Sequence, residues 1–201
     1  MELTLYYQSG TRAQRVRWLL EELELDYQLE TIDLFKGEAN TPEYLALHPL
    51  GQLPVIIIDG STMFESGAIV QWLADTHPDK GFSPALASPQ RRLFNQWMYF
   101  SVTNLEAPAW EIILHRNILP EAAAVKAIIP FATENLLQVL TVLDKELKDK
   151  NYMLDDQFSA VDIMIGYILM WFPEHVDTFS NLKSYTQKLQ QRPAYLRSKQ
   201  H

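Results

Sequence analysis

Gly51-Gln52-Leu53-Pro54-Val55-Ile56-Ile57-Ile58-Asp59-Gly60, running on to Phe64-Glu65-Ser66-Gly67-Ala68-Ile69, carries the most informative pattern in the chain. Val55 to Ile58 is a β-branched run closed by Asp59-Gly60, a strong hairpin signal, and Thr62-Met63-Phe64 is long enough to return as the partner strand. Behind it, Ala68, Ile69, Trp72 and Leu73 recur at helical spacing, so Glu65-Ser66 stands at a helix start. Unpaired N–H groups and the positive end of the helix dipole suit such a place to a small carboxylate. Pro54 at the strand entrance leaves the main chain of Leu53 free to pair with something other than the sheet.

Working outward, Leu3 to Tyr7 reads as a first strand, Gln8-Ser9-Gly10-Thr11 as a turn, and Arg12 to Glu24 as an amphipathic helix with Val16, Leu19, Leu20 and Leu23 inward. Tyr27 to Ile32 reads as a second strand, making a right-handed βαβ unit with parallel strands. Lys36 to Ala46 is polar, with a short helix begun by Thr41-Pro42-Glu43. The hairpin and its helix complete a βαβαββα domain over residues 1–78. A linker follows at 79–88, punctuated by the Pro and Gly residues of His77-Pro78-Asp79-Lys80-Gly81-Phe82-Ser83-Pro84, and residues 89–201 read as all helical. Within them we expect a long helix from Gln90 to His115 bent near Pro108, and a second from Pro120 to Lys150. An almost wholly apolar helix opened by Phe158-Ser159-Ala160-Val161-Asp162 should run through Trp171, with short helices at Asn181 to Gln190 and Pro193 to Lys199. Ser159-x-x-Asp162 has the form of a capping box.

Composition narrows the function classes. The 201 residues are 47% hydrophobic, ample for one or two cores, and the net charge of −8 with no basic cluster argues against nucleic acid. No apolar run reaches the roughly 20 residues of a membrane span, so the expected setting is the cytoplasm without membrane attachment. There is no cysteine, so thiol chemistry must be a ligand's, and no metal site is expected.

Gln52-Leu53-Pro54-Val55, the Asp-Gly hairpin, Glu65-Ser66-Gly67-Ala68-Ile69 and the following Trp72-Leu73 together resemble the glutathione-binding half of the cytosolic glutathione transferases. The resemblance implies a thioredoxin-like N-terminal domain followed by an all-α C-terminal domain, a cis peptide before Pro54, and glutathione as co-substrate. It further implies a homodimer and a detoxifying transferase acting on small hydrophobic electrophiles. Isomerisation, dehalogenation or peroxide reduction at the same site, or a non-catalytic binding protein of the same fold, are the alternatives. By the same resemblance, Ser66 and its N–H would hold the γ-glutamyl carboxylate and Glu65 would face the α-amino group. The main chain of Leu53, ahead of Pro54, would pair with the cysteinyl unit, and Gln52 and Lys36 would reach the glycine end. His48, where the family often has Asn before Pro, reads as structural.

A free thiol is only about 3% ionised at pH 7, so the protein must supply a donor that stabilises the thiolate where the first strand meets the first helix. Family members often carry a hydroxyl four residues before an Arg in that helix, and Arg15 points back to Thr11. Ser9 is the second candidate, and Tyr6 a third if Arg17-Trp18-Leu19-Leu20 is the anchor. Tyr7 should point to the opposite face. The electrophile is expected between the domains, with Tyr6, Tyr99, Thr103 and Trp110 as its walls, although an aromatic stripe on a helix is more often core.

Overall fold

The computed structural model describes residues 1–200. Its contacts divide the chain into one unit of Met1–Ser83 joined by the residues from Gln191 onward, and a second of Pro84–Gln190.

In the first unit, β1 (Leu3–Tyr7), α1 (Ala13–Leu23) and β2 (Gln28–Thr31) form the expected parallel βαβ turn, with Leu5 opposite Leu29. After 3-10 turns at Leu34–Lys36 and Glu38–Asn40 come α2 (Pro42–Leu45), β3 (Val55–Ile58), β4 (Ser61–Phe64) and α3 (Ser66–Thr76). The sheet order is β2-β1-β3-β4, with β3 antiparallel to both of its neighbours. Asp59 and Gly60 have φ of 47° and 79°, the positive pair that a two-residue hairpin turn needs to match strand twist. Leu5, Ile56, Val16, Leu19, Leu20, Ile69 and Leu73, all fully buried, make the core between sheet and helices.

The second unit is helical: α4 (Pro89–Phe100), α5 (Glu106–Ile113), α6 (Ile128–Glu146), α7 (Ala160–Leu169), α8 (Pro173–Val176) and α9 (Ser180–Gln190). α7 is buried along its whole length and is the centre of this unit, as its sequence requires. Both halves of its capping box form between Ser159 and Asp162.

Three sequence expectations need correction. The helix over Gln90 to His115 is interrupted by wide π turns at Ser101–Leu105 and Leu114–Ile118. The first lies just ahead of Pro108, whose ring would clash with the carbonyl four residues back in a regular helix; the offset bonding of a π turn makes room. The second helix starts at Ile128, not Pro120, because Pro130 belongs in a first turn, where its missing N–H has no partner to lose. Finally, α10 (Pro193–Ser198), which the sequence reading grouped with the helices before it, packs in the first unit on α1. Arg192 makes a bidentate pair with Glu22 at 2.6 and 2.8 Å, Arg197 meets Glu21 at 2.9 Å, and the Trp18 and Tyr195 rings lie 4.8 Å apart.

Candidate functional site

Sheet register gathers the candidate residues of the first unit at one end. Tyr6 is opposite Val55, and Val55 is opposite Phe64. The turn after β1, the Leu53-Pro54 entrance before β3, and Glu65-Ser66 after β4 therefore leave the sheet at the same end.

The hydroxyls of the β1–α1 turn differ in what they already do. Thr11 Oγ1 donates to the Gln8 carbonyl at 2.7 Å and accepts the Ala13 N–H at 3.3 Å, so it shapes the helix start. Ser9 is exposed, and its hydroxyl has no protein partner among the described residues. Tyr6 is half-buried and packs edge-on to Tyr44, with ring centroids 5.7 Å apart. Tyr7 is buried on the other face and donates to Gln14 Oε1 at 2.6 Å, as strand alternation predicts.

The strand entrance is rigidly held. Thr41 caps α2 through the Tyr44 N–H, and the Tyr44 hydroxyl reaches back to the Gln52 carbonyl at 2.8 Å. Burial pushes the Tyr44 phenol well above its ordinary pKa, so it stays a donor. Gly51 has φ +59°, and a Cβ there would come within 2.6 Å of the Ala39 carbonyl; only glycine fits this crossing of two loops. The Leu53–Pro54 peptide is cis, and Leu53 makes no backbone hydrogen bond among the described residues. Buried His48 accepts the Leu50 N–H on Nδ1 at 3.2 Å and lies 4.7 Å from the Phe64 ring, which ties this entrance to the residue preceding Glu65.

At the third corner, Glu65 takes φ 72° and ψ 104°, a conformation that costs a non-glycine residue of order 1–3 kcal/mol. It turns the chain sharply into α3, whose N-terminus has no side-chain cap. Ser66 is buried, and its Oγ accepts a hydrogen bond of 3.2 Å from Nη1 of Arg15, itself fully buried in α1. A helix N-terminus and a buried guanidinium thus give this corner of an acidic protein a local positive field. In the sequence Arg15 serves only as a marker for Thr11, and with Arg12 and Arg17 beside it nothing singles it out as the partner of Ser66.

Lys36 is exposed and paired with Asp33 at 3.1 Å, an arrangement that raises the lysine and lowers the carboxyl from their ordinary values. Its loop is attached to the β1–α1 turn by the Leu34 N–H, which donates to Gln8 Oε1 at 2.9 Å. Gln52 is exposed beside the buried Leu53 and Pro54.

In the second unit, Thr103 lines an open, mostly apolar groove of about 760 Å³ with Phe100, Ala107, Phe131 and Val139. Tyr99 and Trp110 do not line it; Tyr99 is exposed and Trp110 half-buried. Among the described residues no helix is long and apolar enough to cross a membrane.

Comparison with known proteins fits this geometry. Residues 1–75 match the family described as glutathione S-transferase, N-terminal domain, and residues 114–192 match glutathione S-transferase, C-terminal domain. Glutathione S-transferase PARB of Nicotiana tabacum is 30% identical over 161 residues, covering 77% of this chain and 74% of that protein. Disulfide-bond oxidoreductase YfcG of Escherichia coli (strain K12) is 28% identical over 207 residues, covering 96% and 92%. Among solved structures, the ternary complex of BphK, a bacterial GST, superposes with a TM-score of 0.87 at 26% identity, covering 97% of this chain and 96% of that one. Glutathione transferase F7 from Populus trichocarpa gives 0.87 at 24%, with 98% and 97% covered.

Proposed function

Because the chain belongs to the glutathione S-transferase superfamily, we propose that it transfers the thiolate of glutathione to small hydrophobic electrophiles. Membership makes it a glutathione-transferase enzyme; the electrophile and the roles of individual residues are the proposal. The observation that carries it is the uncapped start of α3, with Ser66 braced by buried Arg15, at the same end of the sheet as the unpaired main chain of Leu53.

In this reading the γ-glutamyl carboxylate binds the first N–H groups of α3 and the Ser66 hydroxyl, and Glu65 takes the α-ammonium as a charge-assisted partner. Leu53 pairs with the cysteinyl unit through its main chain, as strands pair, and Gln52 and Lys36 approach the glycine carboxylate. The bound thiol gives its proton to solvent as the donor stabilises the thiolate, and the sulfur attacks the electrophilic carbon. The electron pair leaves with the departing group or moves into the conjugated system, which takes up a proton from solvent. Tyr6 in the first unit and Tyr99, Thr103 and Trp110 in the second are the residues to vary for electrophile choice. Assembly as a homodimer, a place in the cytoplasm and a role in detoxification extend the proposal on family grounds alone.

Thr11 and Ser9 both remain in the catalytic turn, and their bonds support different tasks. Thr11 would have to give up its 2.7 Å bond to the Gln8 carbonyl before donating to sulfur, whereas the exposed Ser9 hydroxyl gives up nothing. We therefore take Ser9 as the thiolate donor and Thr11 as the residue that shapes the turn. Assayed with glutathione against a panel of aryl halides, epoxides, enones and peroxides, the parent should turn over at least one electrophile. Ser9→Ala should lower kcat by about 10²-fold, with Thr11→Val affecting mainly thermal stability. Full activity in Ser9→Ala with loss in Thr11→Val would return the role to Thr11, and no turnover in the parent would favour a binding protein. The relative named for disulfide-bond oxidoreduction supports including disulfides in the panel. With no cysteine in the chain, such a reaction would run on glutathione sulfur alone.

A further inference from the structure

Gln14 is 4% exposed, and both ends of its amide are hydrogen-bonded. Oε1 accepts the Tyr7 hydroxyl at 2.6 Å, and Nε2 donates to both the carbonyl and the hydroxyl of Ser198 at 2.8 Å. The Ser198 hydroxyl donates in turn to the Tyr195 carbonyl at 2.7 Å, and Ser198 is fully buried. One side chain thereby joins the end of β1, the first turn of α1 and the last helix of the chain. Tyr7 is further fixed by the Arg17 guanidinium, 5.0 Å above its ring, and Arg17 also reaches the Gln200 carbonyl. The Arg192–Glu22 and Arg197–Glu21 pairs fasten the same segment further along α1.

Tyr7 and Gln14 bracket the turn of residues 8–11. Their hydrogen bond closes its base, while the turn itself carries an exposed Ser9 and a glycine with φ +79°. A hydroxyl that must meet a sulfur atom at hydrogen-bond distance needs its backbone fixed to a fraction of an ångström, and an exposed turn does not supply that alone.

We propose that Gln14, clamped between Tyr7 and Ser198, is a positioning residue for the thiol-activating turn, and that the C-terminal segment holds that turn in register. The proposal rests on the glutathione-transferase reading for its catalytic consequence, but not for its structural one. Gln14 touches neither thiol nor electrophile; it acts by fixing where Ser9 and Thr11 stand.

Tyr7→Phe removes a single oxygen from the clamp, and Ser198→Ala removes one of the two acceptors of Nε2, so both perturb the fold less than Gln14→Leu, which would remove all three of Gln14's hydrogen bonds. Amide hydrogen exchange at residues 8–12 is expected to speed up by about tenfold or more in both variants. In turnover assays, kcat should fall about tenfold and the acid limb of its pH profile should move upward, while the calorimetric Kd for glutathione stays within about threefold, since the carboxylate site on α3 is untouched. Lower melting temperatures with unchanged exchange at residues 8–12 and an unmoved pH profile would overturn the proposal, leaving Gln14 a purely structural residue. A parent that fails to bind glutathione would reject the transferase reading, and the exchange measurement would still decide whether the clamp holds the turn.

Discussion

His48 is held neutral by its surroundings: Nδ1 accepts the Leu50 N–H, Phe64 covers the ring, and burial lowers its pKa against the weaker upward pull of Glu65. A folded-state pKa below the ordinary value of about 6.5 means that the unfolded chain binds the proton more readily. The stability due to a neutral His48 is therefore complete above about pH 6.5 and is lost as pH falls toward the folded-state value. Thermal midpoints measured from about pH 7.5 down to about 5.5 should fall less steeply for His48→Asn than for the parent; parallel curves would contradict this. His48 reads as structural only through the resemblance, standing where the family often has Asn before Pro, and its burial could not be read from the sequence. The same holds for Arg15. Its identity was visible and its partner was not, since Ser66 lies 51 positions away and reaches it only through the docking of α3 on α1.

Among the elements, α7 was legible to its first turn because the signals agreed: an apolar run, a Ser three residues before an Asp, and no proline within. Asp162 does more than cap, however. Besides the N–H and hydroxyl of Ser159, it accepts the Met153 N–H and the Tyr185 hydroxyl, each at 2.8 Å, and so fixes a loop and α9 to the start of α7. Burial pushes its carboxyl up while these four donors pull the other way. Asp162→Ala should cost about 3–5 kcal/mol in denaturant unfolding, because four donors would be left dry, and Tyr185→Phe about 1–2 kcal/mol. A loss below about 1 kcal/mol for Asp162→Ala would show that the network carries little. Less legible were the first π turn and the start of α6. Both depend on how a proline is accommodated, and a periodicity count registers the apolar face without the local offset in hydrogen bonding.

At the scale of the whole molecule, the proposed function asks a chain of net charge −8 to bind a ligand with two carboxylates, which calls for positive potential confined locally, as at the start of α3 beside Arg15, rather than for net charge. The division into a thioredoxin-like unit and a helical unit was readable from the change of period near residue 80. The return of the C-terminal residues to the first unit was not, because Arg192, Arg197 and Ser198 look like ordinary surface residues until Glu21, Glu22 and Gln14 are seen beside them. Calorimetric titration of glutathione into the parent and into Ser66→Ala tests the proposed carboxylate corner most directly. Saturable binding to the parent, weakened about tenfold or more by the substitution, is the predicted result; a parent that gives no binding heat at millimolar glutathione, or a Ser66→Ala chain that binds as tightly as the parent, would contradict it.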